Sequence, residues 1–427
     1  MFLNELRLAI KSGGYDKDFE ILYRNANDAR FRYLKATDEF EKLYGDADVN
    51  LFSAPGRTEV GGNHTDHQHG RVLAGSVNLD VIAVAAKNND NIVRIKSEGY
   101  DMDVVDLNQL DVVKSEEGKA ISLIRGMCAF VKELGFEIGG FNAYTTSNVL
   151  KGSGLSSSAA FEVLIGVILN HLFNNGEISA VEIAKLAQKA ENVYFGKPCG
   201  LMDQMASSVG GFTAIDFADP KNPVIEKIEF DLASQNHSLC IVNTGGNHAD
   251  LTDDYAKITE EMHSVANALG EEYLRDINEK EFFSKLSSLR QDFSDRALLR
   301  TMHFISENAL VVEQKKALQE NRFEDFLSMI SKSGNSSFKY LQNVYSSKSP
   351  YEQGISLALA VTERFLNSKG AHRVHGGGFA GTIQAFVPNE LLEDYKNTIE
   401  SVFGEGNCYA LNIRPVGGYA LKQTRII

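Results

Sequence analysis

A glycine- and serine-rich turn between two different kinds of segment is the strongest constraint on the fold of this 427-residue chain. Residues 141–149 carry β-forming side chains and predict a strand, and the apolar run 159–173 predicts a buried helix. Between them lies the sequence GSGLSSSAA, residues 152–160. Glycines let a ligand approach the backbone, and the N–H groups at a helix start attract anions. A strand, a tight turn and a helix in this order therefore predict a phosphate site in a fold of strands and helices.

The turn alone leaves two interpretations open. In one, it binds phosphate, and its serine hydroxyls contact phosphate oxygens or a metal ion; in the other, it is a tight turn followed by a serine-capped helix. It is not a Walker A loop, because no Gly-Lys-Ser/Thr follows the glycines. It is not the dinucleotide-binding fingerprint either, because the third glycine is absent.

Strands and helices mix along the rest of the chain without a strict βαβ alternation, which predicts an α+β or mixed α/β fold. Residues 1–45 predict helices, with Gly45 as a stop. Strands are predicted over 71–86, 209–217 and 238–243, and helices over 179–195 and most of 252–345. We expect three parts: a helical N-terminal extension (1–45), an N-terminal domain (46–215) and a C-terminal domain (216–427).

Composition excludes several classes of function. The chain has 57 acidic and 43 basic residues, a net charge of −14, and no run of Lys and Arg, so no nucleic-acid partner is expected. The most apolar stretch, 161–173, is too short to span a membrane and contains Glu162 and Asn170. The four cysteines match no zinc or redox spacing, and the N-terminus has no signal-peptide pattern. We expect a cytoplasmic protein without a membrane partner; its oligomeric state is left open.

A second motif, GRTEVGGNHTDHQHG at residues 56–70, packs polar and ionisable side chains between glycines. This is typical of a substrate-binding loop, although a solvated polar turn has the same composition. Its histidines, His64, His67 and His69, also raise the hypothesis of a metal hydrolase. Their spacing does not match that of binuclear hydrolases, and no second cluster of ligands stands out elsewhere.

The third motif, CGLMDQ at residues 199–204, sets Asp203 among small and apolar residues. A carboxylate in such surroundings needs a cation or hydrogen-bond donors nearby. A helix cap is the alternative role for Asp203. Glu191 lies twelve residues earlier on the predicted amphipathic helix, where a solvated face is the ordinary interpretation.

Taken together and in order, these segments resemble the GHMP family of small-molecule kinases, and within it the galactokinases most closely. GRTEVGGNHTDH is similar to the sugar signature GRxNxIGEHxDY, and GSGLSSSA to the phosphate loop. Residues 198–204 match PCGxMDQ, and residues 371–381 resemble GSRxTGGGFGG. The stretch TMHFISENALVVEQKKAL is also similar to the C-terminal domain of that family. The resemblance covers residues 46–427 and leaves the N-terminal extension unexplained.

The resemblance implies a two-domain fold with the active site in the interdomain cleft, and ATP-dependent phosphorylation of a sugar at its C1 hydroxyl. Asp203 would be the base that faces this hydroxyl, and Arg57 would keep Asp203 ionised. Ser158 and Glu191 would hold Mg²⁺. The residues that would wrap the ATP phosphates are Gly152, Ser153, Gly154, Leu155, Ser156, Ser157 and Ser158. Those at sugar-contact positions are Asn63, His64, Asp66, Gly200 and Tyr255.

Departures from the family pattern bear on which sugar is used. Asn63 stands where galactokinases usually have a Glu that binds sugar hydroxyls, and Glu59 stands where they have Asn. A neutral Asn63 would weaken the hydrogen bonds to galactose or admit a sugar with a 6-carboxylate. His67 replaces the usual Tyr, and Asp66-His67-Gln68 also resembles plant galacturonokinases. The alternatives are therefore a kinase for galacturonate or an amino sugar, and a non-catalytic sugar sensor on the same fold.

Overall fold

The computed structural model describes residues 1–149, 154–246 and 251–424. Two predicted phosphate-loop residues, Gly152 and Ser153, lie outside these ranges. The helices are α1 Leu3–Lys11, α2 Asp16–Tyr23, α3 Ala26–Tyr44, α4 Ala120–Glu133, α5 Ser157–Asn174, α6 Ala180–Ala190, α7 Met202–Val209, α8 Thr252–Ala268, α9 Glu279–Ser284, α10 Leu286–Asp292, α11 Asp295–Gln319, α12 Phe323–Ser336, α13 Gly354–Leu366 and α14 Leu392–Phe403. The strands are β1 Asn50–Gly61, β2 Arg71–Lys87, β3 Ile92–Ser97, β4 Met102–Asp106, β5 Phe141–Ser147, β6 Phe212–Asp216, β7 Val224–Ile228, β8 His237–Asn243, β9 Ala371–His375, β10 Thr382–Pro388, β11 Cys408–Leu411 and β12 Tyr419–Ala420.

The larger sheet has eight strands in the order β12-β1-β2-β5-β3-β4, and β6 and β7 extend it from the first half of β2. Successive side chains of a strand point to opposite faces. Ile82 and Val84 of β2 accordingly pack against the N-terminal helices, whereas Ala83 and Ala85 pack in the core that contains α5. Both faces are covered, which explains why β2 has the near-continuous apolar sequence of a buried strand.

The N-terminal extension is tied to this sheet by a buried carboxylate. Asp80 on β2 is fully buried, and Tyr23 donates a hydrogen bond to it at 2.5 Å. Arg32 from α3 and Arg414 from the C-terminal tail both pair with it, the second at 3.2 Å. Helix α3 ends at Tyr44, and Gly45 follows with a φ of 76°, so the predicted stop at Gly45 is confirmed.

The smaller sheet has four antiparallel strands in the order β11-β8-β10-β9. Helices α12, α13 and α14 pack against it through residues such as Ile330, Leu359 and Ile399. The mixed α/β fold is thus confirmed. The division at residue 215 stays a prediction; β7 and β12, which lie beyond residue 215, belong to the larger sheet.

Two segments differ from their sequence-based description. Residues 56–61 are not loop but the end of β1, with irregular pairing between Pro55 and Arg57 and between Glu59 and Gly61. Such bulges bend a strand and redirect its side chains, so polar signature residues still reach a cavity. The predicted helix over 179–195 is α-helical only to Ala190 and continues as a π-helical turn, Glu191–Phe195. Turns of this kind are frequent at functional sites.

Among the described residues, α5 is the one helix long and apolar enough to cross a membrane. Within the protein, 72% of it is buried, which is the pattern of a core helix.

Candidate active site

The end of β1, the turn before α5 and the start of α7 bring Arg57 and Asp203 into contact. The Arg57 Nε donates a hydrogen bond to Asp203 Oδ1 at 2.7 Å, and Arg57 also donates to the carbonyl of Gly154. The Ser156 hydroxyl donates to the other oxygen of Asp203. The Arg57 side chain is 9% exposed and that of Asp203 is 33% exposed. Asp203 is therefore fixed in orientation yet reachable from the cleft.

The pKa of Asp203 depends on two opposing effects. Burial raises it, but the charge of Arg57 and the hydrogen bonds from Arg57 and Ser156 hold it below its ordinary value. Asp203 is consequently a carboxylate at neutral pH. The predicted pairing of Arg57 with an ionised Asp203 is present in the structure.

Among the described residues, Ser156 stands at the start of α5. Ser156 precedes α5 with a φ of 55°, and its hydroxyl makes no cap with the helix but binds Asp203. The serine-capped alternative is therefore wrong for Ser156. Leu155 is fully buried and its carbonyl accepts a hydrogen bond from the Arg57 backbone N–H at 3.0 Å. Gly154 lines a cavity of about 300 Å³ together with the glycine cluster that follows His375.

Ser158 and Glu191 also meet, as predicted from the resemblance. The Ser158 Oγ lies 3.4 Å from Glu191 Oε1, and Lys197 Nζ donates to the same oxygen at 3.1 Å. The Gln204 amide bridges Glu191 and the fully buried Glu162, at 2.7 Å and 3.1 Å. Burial and the charge of Glu191 raise the pKa of Glu162 well above its ordinary value. A hydroxyl and a carboxylate are suitable ligands for Mg²⁺, which takes its remaining ligands from water and phosphate.

A second cavity of about 300 Å³ adjoins Arg57. It is lined by Arg57, Glu59, Gly62, His64, Asp66, His67, Val72, Met202, Tyr255, Thr259, Gly376 and Gly377. Of the predicted sugar-contact residues, His64, Asp66 and Tyr255 line it directly. Gly200 borders it through Asp66, because a Cβ at Gly200 would lie 2.8 Å from Asp66 Oδ2. We call this space the sugar cavity.

His64 is held against the glycine cluster. Its Nε2 lies 2.9 Å from the carbonyl of Gly377, and its ring stacks on that of Tyr255 with 6.3 Å between centroids. Burial lowers the pKa of His64 to about 4, so the neutral ring donates this hydrogen bond. A Cβ at Gly377 would lie 2.6 Å from the Tyr255 ring, which explains the glycine at this position.

Asn63 is oriented differently from the other predicted contact residues. It is fully buried and does not line the sugar cavity. Its amide nitrogen donates to Glu59 Oε1 at 2.9 Å and to the carbonyl of Gly376 at 2.8 Å. Its amide oxygen accepts from Asn343 at 2.9 Å and from Ser337 at 3.2 Å. All four hydrogen-bonding positions of the side chain are occupied by protein groups.

Residues of α11 and β9 anchor the signature segment, and sequence reasoning did not single them out. Glu307 Oε1 accepts from the Gly62 backbone N–H at 2.9 Å, and His303 Nε2 lies 2.9 Å from the Asn63 carbonyl. Arg373 donates to Glu59 Oε1 at 2.8 Å. His303 and Glu307 lie in the TMHFISEN segment, whose similarity to the C-terminal domain of the GHMP kinases was noted above. That similarity was the sequence signal that could have identified them.

A larger cavity of about 730 Å³ lies beyond Ser157 and Ser158, and sequence reasoning missed it. Its lining comes from β2 to β5, from α4 and α5, and from the π-helical turn after α6, and it includes Tyr100, Leu123, Thr145, Phe161 and Phe195. Apolar walls with a few polar groups suit a flat heteroaromatic ring. Its wall residues are far apart in sequence and follow no local motif.

The three histidines of the signature do not converge. His69 stacks on Tyr273 with centroids 3.5 Å apart, whereas His64 faces Gly377. Over residues 1–149, 154–246 and 251–424, no group of three His, Cys, Asp or Glu side chains is arranged to hold a metal ion. The hypothesis of a metal hydrolase therefore has no support from this segment.

Comparisons with known proteins agree with the geometry. The model of the GHMP kinases N-terminal domain matches residues 122–211, and that of the galactokinase galactose-binding signature matches residues 38–87. A galactokinase of Glaesserella parasuis is 31% identical over 84% of this chain and 91% of its own length. One from Streptomyces coelicolor is 29% identical over 86% and 92%.

Among solved structures, Lactococcus lactis galactokinase complexed with galactose aligns with a TM-score of 0.75 at 23% identity, covering 90% of this chain and 98% of that one. The fold is that of the GHMP kinase class, and the matched N-terminal-domain model spans the segment before α5. Within that class, the chain belongs to the galactokinase family.

Proposed function

We propose that this protein is an ATP-dependent galactokinase, which transfers the γ-phosphate of ATP to the C1 hydroxyl of galactose. The observation that carries this proposal is the position of the Arg57–Asp203 pair, which lies where the sugar cavity meets the turn before α5. A sugar in the cavity presents a hydroxyl to Asp203.

The residues divide the chemistry between them. Phosphoryl transfer depends mainly on positioning and on neutralising charge. Asp203 accepts the proton of the attacking hydroxyl, and Arg57 stabilises the charge that develops. The turn from Gly154 to Ser158, with the N-terminus of α5, binds the phosphates.

Ser158 and Glu191 would hold Mg²⁺, which neutralises phosphate charge when bound. The cavity of about 730 Å³ beside Ser157 takes the base of ATP. The proposal includes two further expectations. The chain divides into its three parts at residues 45 and 215, and the protein is located in the cytoplasm.

One experiment tests the reaction and the sugar together. Purified protein with Mg·ATP is incubated with galactose, galacturonate, galactosamine, glucose and mannose, and ADP release is measured alongside the product by ³¹P NMR. We expect galactose to yield galactose 1-phosphate, with Asp203→Asn protein as the matched background. Galactose binding without ADP release would favour the sensor alternative. A preference for galacturonate or galactosamine would favour the derivative kinase.

A further inference from the structure

Two departures from the family signature form a reciprocal exchange. Galactokinases usually carry Asn and Glu at the positions of Glu59 and Asn63, and this chain carries the same two side-chain types in the opposite order. The two side chains are in contact, since Asn63 Nδ2 donates to Glu59 Oε1 at 2.9 Å. We propose that Glu59 is a specificity-determining residue whose carboxylate accepts a hydrogen bond from a hydroxyl of the bound sugar. Asn63 is its positioning residue, and the proposal rests on the galactokinase function proposed above.

The first argument is the unequal use of the two Glu59 oxygens. Oε1 accepts from Asn63 at 2.9 Å and from Arg373 at 2.8 Å. Among the described residues, none donates a hydrogen bond to Oε2, and Glu59 lines the sugar cavity. The side chain is only 8% exposed, so few water molecules reach this oxygen. A nearly buried carboxylate oxygen with free lone pairs is an acceptor ready for a ligand hydroxyl.

The second argument is that the surroundings hold the carboxylate rigidly. Burial raises the pKa of Glu59, and the charges of Arg373 and Arg57 and the hydrogen bond from Asn63 oppose this shift. Arg373 is fully buried and pairs with Glu59, which gives the guanidinium an anionic partner. Asn63 is fixed in turn by the carbonyl of Gly376 and by Asn343. Both partners bind Oε1, so Oε2 is the carboxylate oxygen left for a ligand.

The third argument concerns which part of the sugar Glu59 meets. Glu59 and Arg57 are two residues apart on β1, which sets them on one side of the strand and about 6–7 Å apart along it. Arg57 belongs to the reaction centre with Asp203. Glu59 therefore reads a hydroxyl away from C1, and it affects sugar binding more than turnover.

A carboxylate accepts hydrogen bonds and cannot donate them. The site thus selects a neutral sugar that has a hydroxyl at this position. It disfavours a sugar lacking that hydroxyl, or one carrying a carboxylate there, on the order of 10–100-fold in kcat/KM. This reverses the expectation that the neutral Asn63 admits galacturonate, because the acidic group has moved to residue 59.

The test compares the full-length wild type with Glu59→Gln and with the double exchange Glu59→Asn/Asn63→Glu. Each is assayed with galactose, galacturonate and the 2-, 3-, 4- and 6-deoxy galactoses. In Glu59→Gln we expect KM for galactose to rise about tenfold with kcat changed less than threefold. The loss of kcat/KM caused by removing one particular hydroxyl should become smaller. The ratio of kcat/KM for galacturonate to that for galactose should rise about tenfold if that hydroxyl is the one at C6.

The double exchange restores the order of the two side-chain types that is usual in the family, and its melting temperature is measured because a carboxylate at residue 63 cannot donate to the Gly376 carbonyl as Asn63 does. The melting temperature of Glu59→Gln, whose side chain keeps the size of Glu59, is the control for folding. Wild type alone provides a measurement that needs no variant: removal of one hydroxyl other than that at C1 should lower kcat/KM at least tenfold.

Unchanged deoxy and galacturonate ratios in a folded Glu59→Gln protein would overturn the proposal for Glu59. Use of all four deoxy galactoses by wild type as well as galactose itself would overturn it too. In both cases galactose is still phosphorylated, so the galactokinase function stands. Wild type that releases no ADP with any sugar would instead overturn the proposed function itself.

Discussion

Replacing Asp203 by Asn is the most direct perturbation of the proposed chemistry. The two side chains have nearly the same shape, so the packing at the start of α7 is kept while the proton acceptor is lost. Loss of a positioned general base costs about 10²–10⁴-fold in kcat. At 1.36 kcal/mol per decade, this is about 3–5 kcal/mol of barrier. Arg57, which donates to Asp203 at 2.7 Å, would still have the carbonyl of Gly154 as a partner.

The assay measures kcat by ADP release and the Kd values of galactose and ATP by titration calorimetry. We expect kcat to fall by at least 10² while both Kd values change less than about fivefold. Ser156→Ala is the matched control, because it removes one hydrogen bond to Asp203 but leaves the carboxylate, and it should cost less than about tenfold. Turnover of Asp203→Asn within threefold of wild type would refute the reasoning. Asp203 would then have only a structural role at the start of α7.

Three further predictions address charge, metal and stability. Arg57→Ala should lower kcat by about 10²–10³-fold, because the charge that develops in the transition state loses its stabilising partner. In wild type, the folded pKa of Asp203 is held below the ordinary value of about 3.9. The pH profile of wild-type kcat/KM should therefore show no decrease from protonation of Asp203 between pH 5 and 8. Glu191→Gln should raise the Mg²⁺ concentration needed for half-maximal activity about 10–100-fold. It should also weaken the Mg²⁺-dependent binding of ATP, measured by calorimetry. An unchanged Mg²⁺ dependence would exclude Glu191 as a ligand.

Asp80→Asn should lower the free energy of unfolding by about 3–5 kcal/mol in urea titrations, because it leaves the buried Arg414 without its anionic partner. Burial raises the pKa of Asp80, but Arg32 and Arg414 hold it below its ordinary value, so its contribution is present above about pH 4 and is lost as pH falls further. A variant whose stability and acid sensitivity equal those of wild type would contradict this account.

Much of the site could be predicted from the sequence because its motifs are local. The residues of the turn before α5 are neighbours in the chain, and a strand, a glycine turn and a helix start define an anion site wherever they occur. Helix α3 and its end at Gly45 likewise follow from periodicity and from one glycine. The contact between Arg57 and Asp203 joins two such motifs. Local spacing does not predict this contact, and its prediction came from the family resemblance.

Tertiary structure alone decided where the side chains of the signature point. The sequence places Asn63 and Glu59 four residues apart, but their roles depend on Arg373, Asn343 and the Gly376 carbonyl, which lie about 280–310 residues away in the chain. The cavity beyond Ser157 is built in the same way from strands and helices that are far apart in the chain. A local pattern records the type of side chain at each position, whereas the hydrogen-bond partners that orient a buried polar group come from whichever distant segments the fold packs against it.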